Sequence, residues 1–322
     1  MKQKASNRNK FSSFSFIDVL FVSYMSLLSI LILFFHSGVE KWFLYIIAHI
    51  IIISLIIILV PLLDRSENKF LNFLRWWYPV LLFTFNYKEI NSFTHIIVKK
   101  WKDLPVIMFE KNLFGVNPTL WMEQFVSPAV TEIMKFDYFT YYLMIPVGAA
   151  FLYFSGNKKK YVHYISTLCL AFYISYIGFI IYPVRGPRYT LYREYTKDTP
   201  VKLGEFYGPA VEDDVKDEYS RALKGYVFTD LQDFIMRYGS LHGGCMPSSH
   251  IAVAFVCMMM MFFYRRKIFY YYLLLVSLLC VSVVYNRYHY ISDVAAGIAV
   301  GLLSLWLTPH LEKGWENIAK KL

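Results

Sequence analysis

Two histidines and an aspartate stand at the starts of two apolar stretches. His250 ends the sequence Pro-Ser-Ser-His at 247–250, and His289 lies four residues before Asp293. Residues four apart share one face of a helix, so these two side chains can meet. A carboxylate there would hold one ring nitrogen as a donor and leave the other as a nucleophile or base. A capped helix end with an ordinary histidine would contain the same pair.

The residues before His250 favour a helix start that can bind an anion. Proline is common in the first turn, and Ser248 and Ser249 can cap the helix or contact phosphate. The free N–H groups and the positive end of the helix dipole favour phosphate at such a place. The alternative is an ordinary capped helix with an interfacial histidine.

Three arginines can supply positive charge near these residues. Arg185 and Arg188 flank a Gly-Pro turn, and Arg287 precedes His289 by two residues. Guanidinium groups suit bidentate contact with phosphate oxygens. A snorkelling interfacial arginine is the alternative, and it explains one arginine better than two in a turn. Together the set predicts phosphoryl transfer with a histidine nucleophile, a histidine acid and arginines on the phosphoryl oxygens.

Metal chemistry is not indicated by the sequence. A membrane metalloenzyme would show several histidine or carboxylate ligands on neighbouring turns, whereas this chain shows one His–Asp pair and isolated histidines. Cys245 stands alone in a predicted loop, and the other three cysteines fall within apolar segments, so neither a disulfide framework nor a zinc site is suggested. We therefore predict no metal and no cofactor.

The elements that carry these residues are predicted to be transmembrane helices. Of 322 residues, 57% are hydrophobic and 17% are charged, which is unlike a soluble domain. A bilayer core of about 30 Å needs about 20 apolar residues per helix. Such windows lie near 17–36, 42–63, 71–87, 138–155, 161–183, 248–264, 268–285 and 291–309. We predict an all-α polytopic membrane helix bundle of about eight transmembrane helices with a six-helix catalytic core, although Arg75 and Asn86 interrupt the third span.

Basic residues predict the side that each loop faces. With eight spans, five basic segments fall on one side, which the positive-inside rule makes cytoplasmic. They are the N-terminus (Lys2, Lys4, Arg8 and Lys10), Arg65 with Lys69, 158–160, 265–267 and 320–321. The predicted site then lies on the opposite, non-cytoplasmic face, beside the bilayer. The net charge of +10 follows from these loops, and no basic run interleaved with aromatics predicts nucleic-acid binding.

We divide the chain into an N-terminal two-span extension at 1–70 and a core at 71–322. The core has two long outer loops, at 88–137 and 184–247. The first is rich in aromatic residues among balanced charges, which predicts interfacial or re-entrant helices. The second carries apolar residues at helical spacing, which predicts an amphipathic helix. They are Val227, Leu231, Phe234, Ile235 and Tyr238.

These motifs resemble those of the type-2 phosphatidic acid phosphatase superfamily of membrane lipid phosphatases and phosphotransferases. Its second motif, Pro-Ser-Gly-His, is matched at 247–250, and its third ends in His, three residues and Asp, matched by His289 and Asp293. The His-Tyr pair followed by Asp-Val is similar to the branch that includes fungal inositol phosphorylceramide synthase, the closest likeness.

The chain departs from this family at two motif positions. The first motif, normally Lys, six residues and Arg-Pro, is present only in part at 185–188, because Gly178 and Ile181 stand where the lysine would be. Val283 occupies the place of the third-motif arginine, and Arg287 could replace that charge from a different position.

The resemblance implies a role for each motif residue. His289 would attack phosphorus to give a phosphohistidine, Asp293 would orient it, and His250 would protonate the leaving oxygen. The phosphoryl oxygens would be held by Arg185, Arg188, Arg287, Ser248 and the amide of Ser249.

The predicted function is therefore that of a metal-independent lipid phosphatase or phosphotransferase that acts on a lipid phosphate or diphosphate. Its partners would be this lipid and the bilayer; a bacterial cytoplasmic membrane is the expected location, and the oligomeric state stays open. A head-group transferase similar to inositol phosphorylceramide synthase is the alternative within this class. A non-enzymatic transporter is the alternative outside it, although transporters usually place polar groups near the bilayer midplane.

Overall fold

The computed structural model describes residues 13–190, 223–239 and 243–321, which contain helices and loops but no strand. The helices are α1 (Phe16–Phe34), α2 (Trp42–Asp64), α3 (Lys69–Ile90), α4 (Asp103–Phe114), α5 (Pro118–Trp121), α6 (Pro128–Phe154), α7 (Lys158–Ile181), α8 (Pro187–Thr190), α9 (Val227–Gly239), α10 (Ser249–Tyr264), α11 (Arg266–Tyr285) and α12 (Ile291–Ala319). The basic N-terminus and residues 191–222 of the second outer loop lie outside the described residues.

Each of the eight predicted spans coincides with one of these helices. Among the described residues, α1, α2, α7, α11 and α12 are long and apolar enough to cross a membrane, and α10 is a shorter apolar helix of 16 residues. The fold is therefore an all-helical bundle with five candidate membrane spans. The count of eight crossings stays a prediction, because α3 and α6 carry charged residues such as Arg75 and Lys135.

The start of α6 differs from the predicted start at 138. This helix begins at Pro128, where the Ser127 side chain accepts a hydrogen bond from the Val130 amide. Its first turns carry polar residues that point into the protein. Thr131 bonds Tyr285 at 2.9 Å between hydroxyl oxygens, and Lys135 is completely buried. Hydropathy alone missed these turns, because their polar side chains face the protein interior.

Buried polar contacts tie α1 and α3 to the rest of the bundle. The Arg75 guanidinium donates to both carboxylate oxygens of Asp18, at 3.0 and 2.7 Å. Asn86 donates to the Tyr173 hydroxyl on α7 at 3.2 Å. The two residues that interrupt the third apolar segment therefore have partners on neighbouring helices, as polar groups inside a helical bundle need.

Close backbone packing joins α10 to α12. A Cβ added at Gly297 would lie 2.6 Å from the carbonyl oxygen of Ser248, and one at Gly301 would lie 3.1 Å from that of Ala252. Small residues four apart let two helices approach closely inside a membrane bundle. This contact fixes the start of α10, which carries His250, against the start of α12, which carries Asp293.

The predicted amphipathic helix of the second outer loop is present as α9. The side chain of Tyr238 is not among those that the structure describes. Glu132 on α6 holds its start, accepting from the amides of Tyr226 at 2.7 Å and Phe228 at 2.6 Å. Lys135 donates to Asp233 at 2.8 Å. These contacts hold α9 beside the outer end of α6.

Candidate active site

Three helix ends bring the motif residues together. His250 lies in the first turn of α10, His289 lies in the loop between α11 and α12, and Arg188 lies in α8, the short helix that follows α7. The imidazole ring centroids of the two histidines are 5.6 Å apart. All three residues line one cavity of about 410 Å³. Two histidines and a guanidinium group therefore border a common space.

Asp293 orients the His289 ring. The distance between His289 Nδ1 and Asp293 Oδ2 is 3.3 Å, and the same oxygen accepts from the Tyr290 amide at 2.9 Å. If Nδ1 carries the proton, Nε2 is the nitrogen left for chemistry. Burial, with a smaller contribution from the positive charge of Arg188, lowers the pKa of His289 to about 3. The imidazole is thus neutral near pH 7, as a nucleophile must be.

His250 is held by tyrosines of α6. Its Nε2 atom lies 3.0 Å from the hydroxyl oxygen of Tyr138, and its ring centroid lies 4.8 Å from that of Tyr141. The sequence analysis missed both tyrosines as site residues, because aromatic residues near span ends are also typical of membrane anchoring. Their spacing on one helix face, next to a motif histidine, became meaningful only once α6 and α10 were packed together.

The two serines of the Pro-Ser-Ser-His sequence differ in position. Ser248 is the N-cap of α10: its hydroxyl accepts from the Ile251 amide at 3.4 Å, and its own amide donates to the Asp293 carbonyl at 3.1 Å. Ser249, in the first turn, lines the cavity. The Ser248 hydroxyl therefore secures the helix start, and Ser249 faces the space where a phosphate would bind.

The three arginines are placed differently. Arg188 lines the cavity, with its guanidinium carbon 5.6 Å from the Tyr288 ring centroid. Arg185 does not line it, and its guanidinium lies 4.9 Å from the Tyr189 ring. Arg287, also outside the lining, has a left-handed backbone (φ 62°) and binds Glu123 through Nε at 2.9 Å and a terminal nitrogen at 2.8 Å. Of the three motif arginines, Arg188 is thus the one that borders the cavity.

Carboxylates of the first outer loop hold the motif loops in place. Asp103 on α4 accepts from the amides of Arg185 at 2.9 Å and Gly186 at 2.8 Å. Glu110 on α4 accepts from the Ser292 amide at 2.7 Å. Burial raises the pKa of Asp103 to about 6, and the two amide hydrogen bonds oppose that rise. The sequence analysis missed these carboxylates, because their partners are distant in the chain.

The family comparison agrees with this arrangement. The family model of the PAP2 superfamily matches residues 105–307, more than half of the chain. The chain belongs to the PAP2 superfamily. Members of this superfamily are generally phosphatases and phosphotransferases. Comparisons with curated proteins and with solved structures found no match. The matched region contains every motif residue discussed above and leaves α1, α2 and α3 outside it.

Packing explains one departure from the PAP2 motifs. A Cβ at Gly178 would lie 2.3 Å from Cδ of Pro247, so a lysine at this position would displace the Pro-Ser-Ser-His sequence. Lysines reach the region from other helices instead. Lys88 of α3 lines the cavity, and Lys135 of α6 donates to the Tyr288 hydroxyl at 3.0 Å. The positive charge near the PAP2 site is therefore supplied from different positions.

One group of side chains in this PAP2 site has the composition of a metal-ligand set. Cys245, His289 and Asp293 offer ligand atoms within 4.8 Å of one another. However, the Cys245 thiol donates to the carbonyl oxygens of Arg185 at 3.2 Å and Tyr288 at 3.4 Å, and burial raises its pKa. A protonated, donating thiol is a poor metal ligand, so this cysteine serves the loop structure.

Proposed function

We propose that this chain is an integral-membrane, metal-independent phosphatase or phosphotransferase that acts on a lipid phosphate or diphosphate. The observation that carries this proposal is the shared cavity of His250, His289 and Arg188, in which the histidine rings are 5.6 Å apart. Two imidazoles and a guanidinium provide a nucleophile, an acid and an electrostatic clamp for one phosphoryl group.

In the first step, His289 Nε2 attacks phosphorus and the bond from phosphorus to the lipid oxygen breaks. His250 takes up a proton when the anionic phosphate binds beside it, because a nearby negative charge favours the imidazolium. It gives that proton to the leaving oxygen, so a lipid alcohol or lipid phosphate departs. Arg188 and the N-terminal amides of α10 stabilise the charge on the remaining phosphoryl oxygens. Asp293 stabilises the imidazolium that develops when Nε2 gives up its lone pair, as a carboxylate on the other ring nitrogen does in other histidine enzymes.

In the second step, an acceptor hydroxyl attacks the phosphohistidine and gives its proton to His250. The bond between phosphorus and Nε2 breaks, and His289 is restored. Water as acceptor gives free phosphate, and an alcohol gives a new phosphodiester. We propose that this reaction takes place at the non-cytoplasmic face, because the site lies at the ends of helices opposite the basic segments at 158–160 and 265–267.

We propose head-group transfer to a lipid alcohol as the second candidate. It is supported by the likeness of the His-Tyr and Asp-Val pairs to the inositol phosphorylceramide synthase branch. It is also supported by the burial of His289, which is 3% exposed, because exclusion of water protects a phosphohistidine from hydrolysis.

The test is an assay of phosphate release by the purified chain, with EDTA present, from phosphatidate and from a polyprenyl diphosphate. Activity should survive EDTA and fall by at least about a thousandfold in His289→Ala. His36→Ala, at an exposed position outside the cavity, is the matched control. Retained activity in His289→Ala, or loss of wild-type activity in EDTA, would contradict the proposal. Adding phosphatidylinositol and ceramide, and then measuring inositol phosphorylceramide, decides between the two candidates.

A further inference from the structure

The cavity that holds the motif residues has a second, apolar end. Its polar end is lined by Arg188, Ser249, His250 and His289. The rest of the lining is largely aliphatic and aromatic, and it comes from α3, α6, α7 and α9 and from the loop before α10. This apolar lining includes Val80, Phe83, Ile145, Pro146 and Phe172. The space beside the histidines therefore continues between hydrocarbon side chains.

One wall of this apolar end lies outside the region matched by the PAP2 family model. Val80, Phe83, Tyr87 and Lys88 belong to α3, whereas the match begins at residue 105. Val80 and Lys88 are eight residues apart, which at about 1.5 Å per residue is about 12 Å along the helix axis. The cavity thus extends well away from the phosphate end.

The α3 wall is held firmly in place. Phe83 is 6% exposed, and its ring centroid lies 5.0 Å from that of Phe172 and 6.1 Å from that of Phe21. The contacts of Arg75 with Asp18 and of Asn86 with Tyr173 fix both ends of the helix. Leu81, the residue after Val80, is 69% exposed and does not line the cavity. Only one face of α3 can therefore contact a bound molecule.

We propose that α3, together with α6 and α7, forms the subsite for the hydrocarbon chain of the phosphate substrate. This inference rests on the proposed function, because it places the phosphate of the same molecule at His289. A hydrocarbon chain in this space is shielded from water by an apolar wall, and pockets of this size bind mainly through such burial. The occupant is thus the lipid tail of the substrate, and α3 makes the site selective for phosphates that carry one.

The experiment compares two phosphomonoesters that share a head group, hexadecyl phosphate and butyl phosphate. Val80→Phe fills the apolar end, so the ratio of kcat/KM for hexadecyl over butyl phosphate should fall by about tenfold, a usual effect of a few methylene groups in a pocket. Leu81→Phe makes the same kind of change on the outer face of α3 and should leave the ratio unchanged. Ile145→Phe fills the cavity from α6 and should lower the ratio as Val80→Phe does. With two independent filling variants, the test remains valid if one of them misfolds.

A second measurement does not depend on turnover. Hexadecyl phosphate with a diazirine at the end of its chain is photolysed with the wild-type protein, and the labelled peptides are identified by mass spectrometry. We expect label within 69–90 and its loss in Val80→Phe. An unchanged kcat/KM ratio in both filling variants, or label that is absent from 69–90 or persists in Val80→Phe, would overturn the subsite. If the wild-type protein turns over neither ester, and neither phosphatidate nor the polyprenyl diphosphate, the proposed function fails, and the labelling still reports on the subsite.

Discussion

At the scale of single residues, the proposed chemistry depends on a histidine that stays neutral. His289 is 3% exposed, and burial together with the charge of Arg188 lowers its pKa to about 3. Burial disfavours the cation, so the neutral form persists as the pH falls below the ordinary histidine pKa of about 6.5. Nucleophilic competence of this ring should therefore extend into mildly acidic solution.

Reaction with diethyl pyrocarbonate tests this neutral state, because only the neutral imidazole is acylated. For an ordinary imidazole with a pKa of about 6.5, the neutral fraction falls about 25-fold between pH 7 and pH 5. The rate of carbethoxylation at His289 should change by less than about twofold over this range. It is measured by mass spectrometry on the tryptic peptide that begins after Arg287.

The internal reference for this experiment is N-acetylhistidine in the same mixture, which reports the behaviour of an ordinary imidazole. A His289 rate that falls in parallel with the reference would show that burial does not keep this ring neutral. The ring would then be largely protonated below about pH 6.5.

At the scale of elements, the site depends on how closely α12 packs on α10. Gly297→Ala places a Cβ 2.6 Å from the Ser248 carbonyl, so the helices must separate. We expect a loss of about 1–3 kcal/mol in unfolding free energy, which is usual for overpacking, together with lower activity. Gly314→Ala is the matched control on the same helix, because a Cβ there meets nothing within 4 Å. Thermal unfolding of both variants, followed by intrinsic fluorescence, gives the comparison.

The control variant should be neutral or slightly stabilising, since alanine favours a helix over glycine by about 1 kcal/mol. Equal melting temperatures for Gly297→Ala and Gly314→Ala would contradict a close contact between α10 and α12.

The first outer loop is the second element on which the site depends. Arg287 is 3% exposed and is bound by Glu123, so we assign this arginine to positioning the loop before His289. Glu123→Gln should lower the unfolding free energy by about 1–3 kcal/mol, because a buried guanidinium loses its charged acceptor. The KM for hexadecyl phosphate should stay within about twofold, since the proposed phosphate ligand is Arg188.

Glu67→Gln, at an exposed position, is the control for removing a carboxylate charge. A large rise in KM for Arg287→Lys, with unchanged stability, would instead make Arg287 a phosphate ligand.

The sequence was sufficient for some of these features and insufficient for others. Apolar windows located the helices, and motif spacing found His250, His289 and Asp293, because both signals are local. The partners of these residues are not local: Tyr138 contacts His250, and Glu123 contacts Arg287, from more than a hundred residues away. Only the packing of α6, and of the turn that follows α5, against the motif loops shows these pairs.

Helix limits were also poorly predicted where polar residues are buried. The first turns of α6 carry Thr131, Lys135 and Asp137, which are at most 1% exposed. Hydropathy excluded them from the predicted span, because it cannot distinguish a polar group that faces water from one that faces the protein interior. The C-terminal limit of a second helix was also predicted too early: α12 continues to Ala319, beyond the predicted end at 309.

At the scale of the whole molecule, we propose that the site lies on the non-cytoplasmic side. Lys111 on α4 lies next to Glu110, which contacts Ser292 near the site, whereas Lys159 lies at the opposite end of the bundle, at the start of α7. In intact cells, a membrane-impermeant maleimide should label Lys111→Cys and leave Lys159→Cys unlabelled until the membrane is opened. Both positions are exposed.

The unmodified chain is the control for this labelling. Cys169, Cys245 and Cys257 are buried, and Cys280 is partly exposed, so background reaction should be small. The reverse pattern, with Lys159→Cys labelled first, would place the site in the cytoplasm and contradict the topology.

The central claim is that one phosphoryl group is carried by His289 during turnover. The most direct measurement quenches the purified protein in base during its first turnover of hexadecyl phosphate, and then locates the phosphoryl adduct by mass spectrometry. We predict an acid-labile, base-stable phosphoryl adduct on His289 in the wild-type protein, and no adduct in His289→Ala. Turnover with the adduct on another residue, or unchanged turnover in His289→Ala, would contradict it.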